Sequence, residues 1–270
     1  MLTENDGPPF EVVNGGGVAD CLVVCDHASD VIPERLGDLG LDERHLREHI
    51  AWDIGAAAMT RRLAERLDAP AVLAGFSRLV VDCNRYLDDP AAFVEVSDRV
   101  TVPGNAALSA AAKQERADAF YRPYHGEIDR RIEAAMGAGK VLTVVSVHTM
   151  TDRMRGKELR PQEVTVCWDR DERLALSFIR NLEAVDGLVV GDNDPYGLDL
   201  GEDYTVPEHA MRRGLPHIQL EVRQDLVGDA EAALRYADLL YDAMAEPLAS
   251  KAARGLEHHW PLEGDVQPRR

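Results

Sequence analysis

The order of apolar runs predicts a three-layer α/β/α fold with a mixed, mostly parallel central sheet. Three observations carry this. Short strand-like runs alternate with segments of helical period from residue 22 to 249. The run Val141 to Val147 is apolar on both faces, which suits a central strand covered on both sides. Unusual polar residues stand at the carboxyl ends of several such runs, where open α/β sheets collect their ligands.

Taken in order, residues 1–20 are rich in Gly and Pro and predict a loose arm. Leu22 to Cys25 forms a short buried strand ending in Asp26-His27-Ala28-Ser29. Residues 44–67 predict one helix, with Leu46, Ile50, Ala57 and Ala64 on a stripe. Ala71 to Ala74 and Leu79 to Asp82 predict two further strands. Residues 109–136 are Ala-rich and helical, although Pro123 must break or kink them. Val141 to Val147 ends in His148. Val164 to Trp168 and Leu188 to Val190 are further strands, with a helix at about 171–185 between them. His217 to Val222 is the last strand. Residues 229–249 close the fold as a helix with Leu234, Ala237, Tyr241, Met244 and Leu248 on one face. The polar segment from about 255 to 270 predicts a loose tail.

The 270 residues show no linker, so one hydrolase domain over 1–270 is expected, with its core at about 20–250 between a flexible arm and tail. A net charge of −18 repels phosphate backbones and anionic lipid, which argues against nucleic-acid and membrane partners. An anionic substrate would then need a local cluster of Arg. No run of 18 apolar residues and no basic start followed by an apolar stretch is present, so a cytoplasmic protein is expected. Cys21, Cys25, Cys83 and Cys167 form no CxxC pair, and three of them lie in apolar runs. They predict buried free thiols in a reducing compartment.

The candidate site comes from the strand ends. His27 follows the first strand, Asn84 and Arg85 follow the Leu79 run, His148 follows the Val141 run, and Glu221 and Arg223 close the last strand. A lone His at a strand end is usually an ordinary satisfied residue. Four strand ends agreeing point instead to a metal site with an anion clamp. Asp53 falls on the apolar stripe of the first helix, where a carboxylate is costly unless paired or metal-bound. A salt bridge to a nearby Arg is the commoner outcome there. Asp30 stands in an HxxD spacing with His27 and is the alternative ligand. Two His nitrogens, one carboxylate and an open position make the pattern of a catalytic zinc centre.

The segments Val24 to Ser29, His49 to Ala56, Ser77 to Arg85, Ser146 to Thr149, Asp192 to Gly197 and Leu220 to Leu226 together resemble the N-formylglutamate amidohydrolase family, over residues 22 to 245. Within it they look closest to the branch termed predicted N-formylglutamate amidohydrolases. The zinc carboxypeptidases are more distantly similar, in a His after one strand, an Asn-Arg pair, a second strand-end His, and a late Glu followed two residues on by Arg. The resemblance implies a phosphorylase/hydrolase-like fold and a zinc-activated water. In the family the position of Asp53 is usually acidic and that of Asp30 often is not, which favours Asp53 as the carboxylate beside His27 and His148. Two departures stand out. HxxD replaces the HxxE of the carboxypeptidases, and Thr149-Met150-Thr151 replaces the commoner Ser-Phe-Thr.

The expected activity is metal-dependent removal of a formyl or other short acyl group from a small anionic N-acyl amino acid such as N-formylglutamate. Glu221 is the expected general base and acid. Arg85, with Arg223 as a second candidate, would stabilise the oxyanion or grip a substrate carboxylate. Asn84 would donate to the substrate, Tyr196 and His209 would line the pocket, and Asp26 would orient His27 or a neighbour. An ordinary turn role is the plainer alternative for Tyr196, and a loop hydrogen bond for Asp26. Two other activities use the same residues: a metallo-carboxypeptidase or other N-acyl amino-acid deacylase, and a non-catalytic binder of an acidic metabolite. A Ser hydrolase using Ser29 is disfavoured because no G-x-S-x-G elbow is present.

Overall fold

The computed structural model describes residues 1–259. Seven strands form one sheet: β1 (Phe10–Val13), β2 (Cys21–Cys25), β3 (Ala71–Ala74), β6 (Thr143–Met150), β7 (Val164–Cys167), β8 (Val190–Asp192) and β9 (His217–Arg223). Their spatial order is β1-β3-β2-β6-β9-β7-β8. A separate hairpin joins β4 (Val96–Ser97) to β5 (Val100–Thr101). The pairs β2–β3, β2–β6, β6–β9 and β7–β8 are parallel, while β1–β3 and β7–β9 are antiparallel. The sheet is therefore mixed and mostly parallel, with helices on both faces, as the alternating pattern predicts.

Alternation along the strands sorts the core. Cys21, Val23 and Cys25 of β2 face α2 (Ala56–Leu67), α5 (Ala175–Glu183) and α6 (Ala230–Ala249). Leu22 and Val24 face the other way, onto Tyr124, Ile128 and Ile132 of α4 (Arg122–Gly137). Strand β6 is buried along its whole length, as a central strand must be. All four cysteines are buried and free.

Several expectations need correcting. The N-terminal arm is not loose: β1 pairs with β3 from Phe10↔Ala74 to Val13↔Ala71 and closes that edge. The helix expected over 44–67 is two pieces, α1 (Glu43–Leu46) and α2, and Asp53 lies in the loop between them. Gly55 explains the break. It caps α2 at φ 87°, in the left-handed region, and a Cβ there would stand 2.4 Å from the Val227 carbonyl. Leu79 to Asp82 is buried but not a strand. Its backbone is satisfied instead by Asn105, which donates to Leu79 O, by Arg116, which donates to Val80 O, and by the Ala92 carbonyl, which accepts from Asp82 N. Pro123 does not break its helix. A π-helical turn at Ala117–Tyr121, between α3 (Ala110–Arg116) and α4, absorbs the missing donor and the ring. On α6, Ala237 and Met244 are buried, but Leu234 is exposed because Ala233 and Leu240 occupy the packed face. The tail is docked as far as it is described: Glu257 N donates to Gly214 O. The rest of the predicted tail, 260–270, lies outside the described residues.

Candidate active site

The parallel ladder of β6 and β9 sets Glu221 directly beside His148. His27 stands two residues past β2, the neighbouring strand on the other side of β6. Asp53 reaches the same point from the loop ahead of α2. Its backbone N–H donates to His27 O at 3.0 Å, and its Oδ2 accepts from Thr149 N at 3.2 Å. The result is a buried cluster of His27, Asp53 and His148 whose ligand atoms lie within 4.8 Å of one another. Nδ1 of His27 is 3.3 Å, and Nδ1 of His148 2.9 Å, from Asp53 Oδ2.

The outer nitrogens explain this arrangement. His27 Nε2–H donates to Asp82 at 2.7 Å, and His148 Nε2–H donates to Asp26 at 3.1 Å. A carboxylate on Nε2 places the proton there and leaves Nδ1 with its lone pair. Two lone pairs and an anionic oxygen then converge, which is favourable only with a cation between them. The ionisation directions show the other way this cluster can balance its charge, with protons on the imidazoles in place of the ion. Burial opposes charge on His148, but Asp26 and Asp53 outweigh it and hold the imidazole well above its ordinary range. Burial and Arg78 oppose charge on His27, and Asp82 with Asp53 still raises it. Burial opposes ionisation of Asp53, yet the two imidazoles hold it well below the carboxylate range. The donor set of two nitrogens and one carboxylate oxygen fits a divalent ion such as zinc.

This centre opens on a cavity of about 440 Å³, lined among others by Arg78, Asn84, Arg85, Asp203, Gln219 and Glu221. Burial lifts the Glu221 carboxyl to about 7, with His148 opposing and Asp53 adding to the rise. Arg85 Nη1 donates to Asp203 Oδ1 at 3.1 Å and to Asn84 O at 2.8 Å, while Nε and Nη2 make no hydrogen bond among the described residues. Tyr196 also lines the cavity, with the Arg160 guanidinium 4.7 Å over its ring.

Other expected site residues are placed differently. Asp30 neither joins the cluster nor lines the cavity, and Ser29 caps Val31 N at 3.1 Å instead. Arg223, one pleat beyond Glu221, turns to Asp225 at 2.8 Å and to Arg160 O at 2.8 Å and does not line the cavity. His209 is buried off the cavity, in the π-helical turn Val206–Ala210, between His125 at 2.9 Å and Asp129 at 2.9 Å. Asn84 lines the cavity, but its side chain is engaged by the protein. It donates to Asp203 at 2.9 Å and accepts from Tyr204 N and Thr205 N, which ties down the loop over the site. Asp26 orients His148 rather than His27. The ion pair weighed for Asp53 is present only at 3.6 Å, to Arg78.

Sequence reasoning missed Asp82, Asp203 and Gln219. Asp82 accepts from His27 and, through Oδ2, from Arg78 Nε and Nη2 at 3.0 and 2.7 Å. Its position between Val81 and Cys83 was a signal, since a carboxylate in a buried run needs partners. A second grouping, Asp171, Glu257 and His259, already holds a cation: Arg173 pairs with Asp171 at 2.7 Å and approaches Glu257 at 3.5 Å.

Comparisons with known proteins point one way. The family model described as N-formylglutamate amidohydrolase matches residues 19–228. The crystal structure of a gene product of Agrobacterium tumefaciens, Atu2144, is 36% identical and superposes with a TM-score of 0.88, covering 92% of this chain and 98% of that one. An N-formylglutamate amidohydrolase from Ralstonia eutropha JMP134 is 22% identical with a TM-score of 0.65, covering 89% and 97%, a likeness of fold. A search of curated proteins gives no match.

Proposed function

The chain belongs to the N-formylglutamate amidohydrolase family and is a hydrolase of amide bonds, and on that premise we propose that it removes a formyl or other short acyl group from an N-acyl amino acid at a zinc centre held by His27, Asp53 and His148. The observation that carries this reading is the convergence of two Nδ1 atoms on Asp53, each imidazole backed by its own carboxylate. When bound, the ion would acidify water and polarise the acyl carbonyl.

The chain's own residues do the rest. Glu221, poised near neutrality beside His148, takes the proton from the attacking water and passes it to the leaving amine. The C–N bond breaks, giving the short acid and the free amino acid. Arg78, fixed by Asp82 through Nε and Nη2, keeps Nη1 at the cavity to oppose charge developing on the carbonyl oxygen. Arg85 offers Nε and Nη2 as a fork for the substrate's α-carboxylate. Asn84 supports this clamp by anchoring Asp203 and the chain at Tyr204 and Thr205. Tyr196 forms part of the cavity wall.

We read the chain as one hydrolase domain, since the three ligands come from strand β6, the residues just past β2 and the loop ahead of α2, all packed at one seven-stranded sheet. No helix of the described residues is long and apolar enough to cross a membrane. A cytoplasmic setting is proposed on the four buried free thiols, which suit a reducing compartment. The test is hydrolysis of N-formyl, N-acetyl and N-succinyl amino acids by the purified protein, before and after chelation and after zinc is restored. Turnover that disappears with the metal and returns with it is expected. Undiminished turnover in the chelated protein would overturn the metal assignment, and no turnover of any derivative would overturn the deacylase assignment.

A further inference from the structure

We propose that His49 is a further substrate-binding residue: its Nδ1 accepts a hydrogen bond from the N–H of the scissile amide, while Asp98 holds the ring as a positioning residue; this deepens, and rests on, the deacylase reading above.

His49 lines the cavity, yet it is not among the three residues that could hold the ion, and Glu221 does not need it. It lies in the loop between α1 and α2 that also carries Asp53. That loop is pinned. Ser77 Oγ and Arg78 N both donate to Ala51 O, at 2.7 and 3.2 Å, and Ile50 and Ala51 are buried.

Asp98 fixes the ring from the other side. Its carboxylate is 4% exposed, and Oδ2 stands 3.2 Å from His49 Nε2. It occupies the turn of the β4–β5 hairpin, where Asp98 at φ 39° and Arg99 at φ 66° both adopt left-handed backbone, as a type I′ turn needs. Arg155 holds the carboxylate through its backbone N and through Nη1, each at 3.1 Å. A carboxylate so placed keeps the imidazole proton on Nε2 and leaves Nδ1 its lone pair. Nε2 is buried, and Nδ1 makes no hydrogen bond among the described residues, so Nδ1 is the ring nitrogen left for the cavity. Burial, with Arg155 and Arg78 adding, outweighs Asp98 and holds the imidazole below its ordinary value. At neutral pH the ring is therefore an acceptor and not a cation.

The chemistry of the substrate selects the partner. The acyl oxygen and the α-carboxylate of an N-acyl amino acid are acceptors, and the donor common to all such compounds is the amide N–H. Burying that N–H without an acceptor costs binding. Asn84, Thr149, Thr151 and Tyr196 line the same cavity but already use their side-chain oxygens within the protein. His49 Nδ1 is open. As water attacks, the planar nitrogen becomes pyramidal, and its lone pair must be free for the proton that Glu221 carries. An N–H held by Nδ1 fixes where that lone pair appears. His49 neither gains nor loses a proton: the proton passes from the attacking water through Glu221 to the nitrogen as the C–N bond breaks.

The experiment measures kcat/KM of the zinc-supplemented full chain for N-formyl-L-glutamate and for N-formyl-N-methyl-L-glutamate, which lacks the N–H. The parent is compared with His49→Leu and with Asp98→Asn, whose amide lets the imidazole proton move to Nδ1. In both variants the N–H compound should lose about tenfold, the effect of one hydrogen bond, and the N-methyl compound less than about twofold. The Asp98 variant keeps the imidazole, so it also serves should the Leu variant fail to fold. Equal losses for the two compounds, or no loss for either, overturn the proposal. If the parent hydrolyses neither compound, the deacylase reading fails separately. The hydrogen bond is then judged by calorimetric Kd for the same compounds: a loss of affinity confined to the N–H compound supports it, and equal loss, no loss or absent binding overturns it.

Discussion

Replacing Asp26 by Asn tests the electrostatic logic of the metal centre with almost no change of shape. Asp26 is 1% exposed and accepts three hydrogen bonds: from Tyr124 Oη at 2.8 Å, from Thr205 Oγ1 at 2.6 Å, and from His148 Nε2 at 3.1 Å. An amide has one acceptor oxygen. Keeping that oxygen on the two hydroxyls satisfies more donors and turns the NH₂ toward His148. The imidazole must then carry its proton on Nδ1, the nitrogen that faces Asp53, and cannot ligate through it. Loss of such an orienting carboxylate typically costs 10- to 100-fold in metal affinity, or about 1.4 to 2.7 kcal/mol. The gain in melting temperature on adding zinc should shrink accordingly, by roughly 3 to 10 °C for a chain of this size. Competition against a chromogenic chelator gives the affinity directly, and melting with and without zinc gives the second reading. An Asn variant whose zinc affinity stays within about threefold of the parent would refute the tautomer argument.

Four further outcomes follow from the same geometry. Glu221→Gln should lower kcat by about 10²- to 10⁴-fold while metal content stays at one ion per chain; a loss of only a few-fold would require another base. Arg85→Lys should cut kcat/KM because an ammonium does not replace the Nε–Nη2 fork, whereas Arg223→Ala, turned onto Asp225, should change it little; the reverse ranking would restore Arg223 to the clamp. Asp53→Asn should weaken zinc binding at least tenfold and Asp30→Asn should not, a ranking that metal titration of the two variants settles. Burial, with His209 adding, holds the His125 imidazole down to about 3. The unfolded chain takes up that proton near 6.5, so the contribution to stability is complete above pH 6.5 and is lost as pH falls toward 3. The loss reaches at most about 1.4 kcal/mol per pH unit. Denaturant titrations of His125→Gln between pH 6 and 4 should show a shallower slope, and an unchanged slope would exclude His125 as the group responsible.

Much of the centre was legible before any coordinates. His27, His148 and Glu221 end or follow buried apolar strands, and the carboxyl ends of parallel strands meet on one edge of a sheet whatever the connections between them, whereas Asn84 and Arg85 follow a buried run that is not a strand and were found for an incomplete reason. Asp53 was found for an incomplete reason. The apolar stripe marks it as a buried carboxylate, but the residue sits in the loop that Gly55 opens ahead of α2 rather than on a helix face. His209 and Arg223 misled because polar neighbours in sequence say nothing about which way a side chain leaves its element. The π-helical turn takes His209 to Asp129, and Asp225 captures Arg223.

What the sequence by itself determined is the part encoded locally: the alternation that sorts β2 between two helix layers, the β6 run apolar on both faces, and the chemistry standing at the strand ends. What only the tertiary structure decided is pairing across distance. That Asp82 backs His27 across 55 residues, Asp26 backs His148 across 122, and Asp203 occupies half of Arg85 across 118 depends on how loops cross the sheet. The physical reason is that a carboxylate's partner is chosen by a few ångströms of approach in a buried, weakly screened site, and no periodicity along the chain records such an approach.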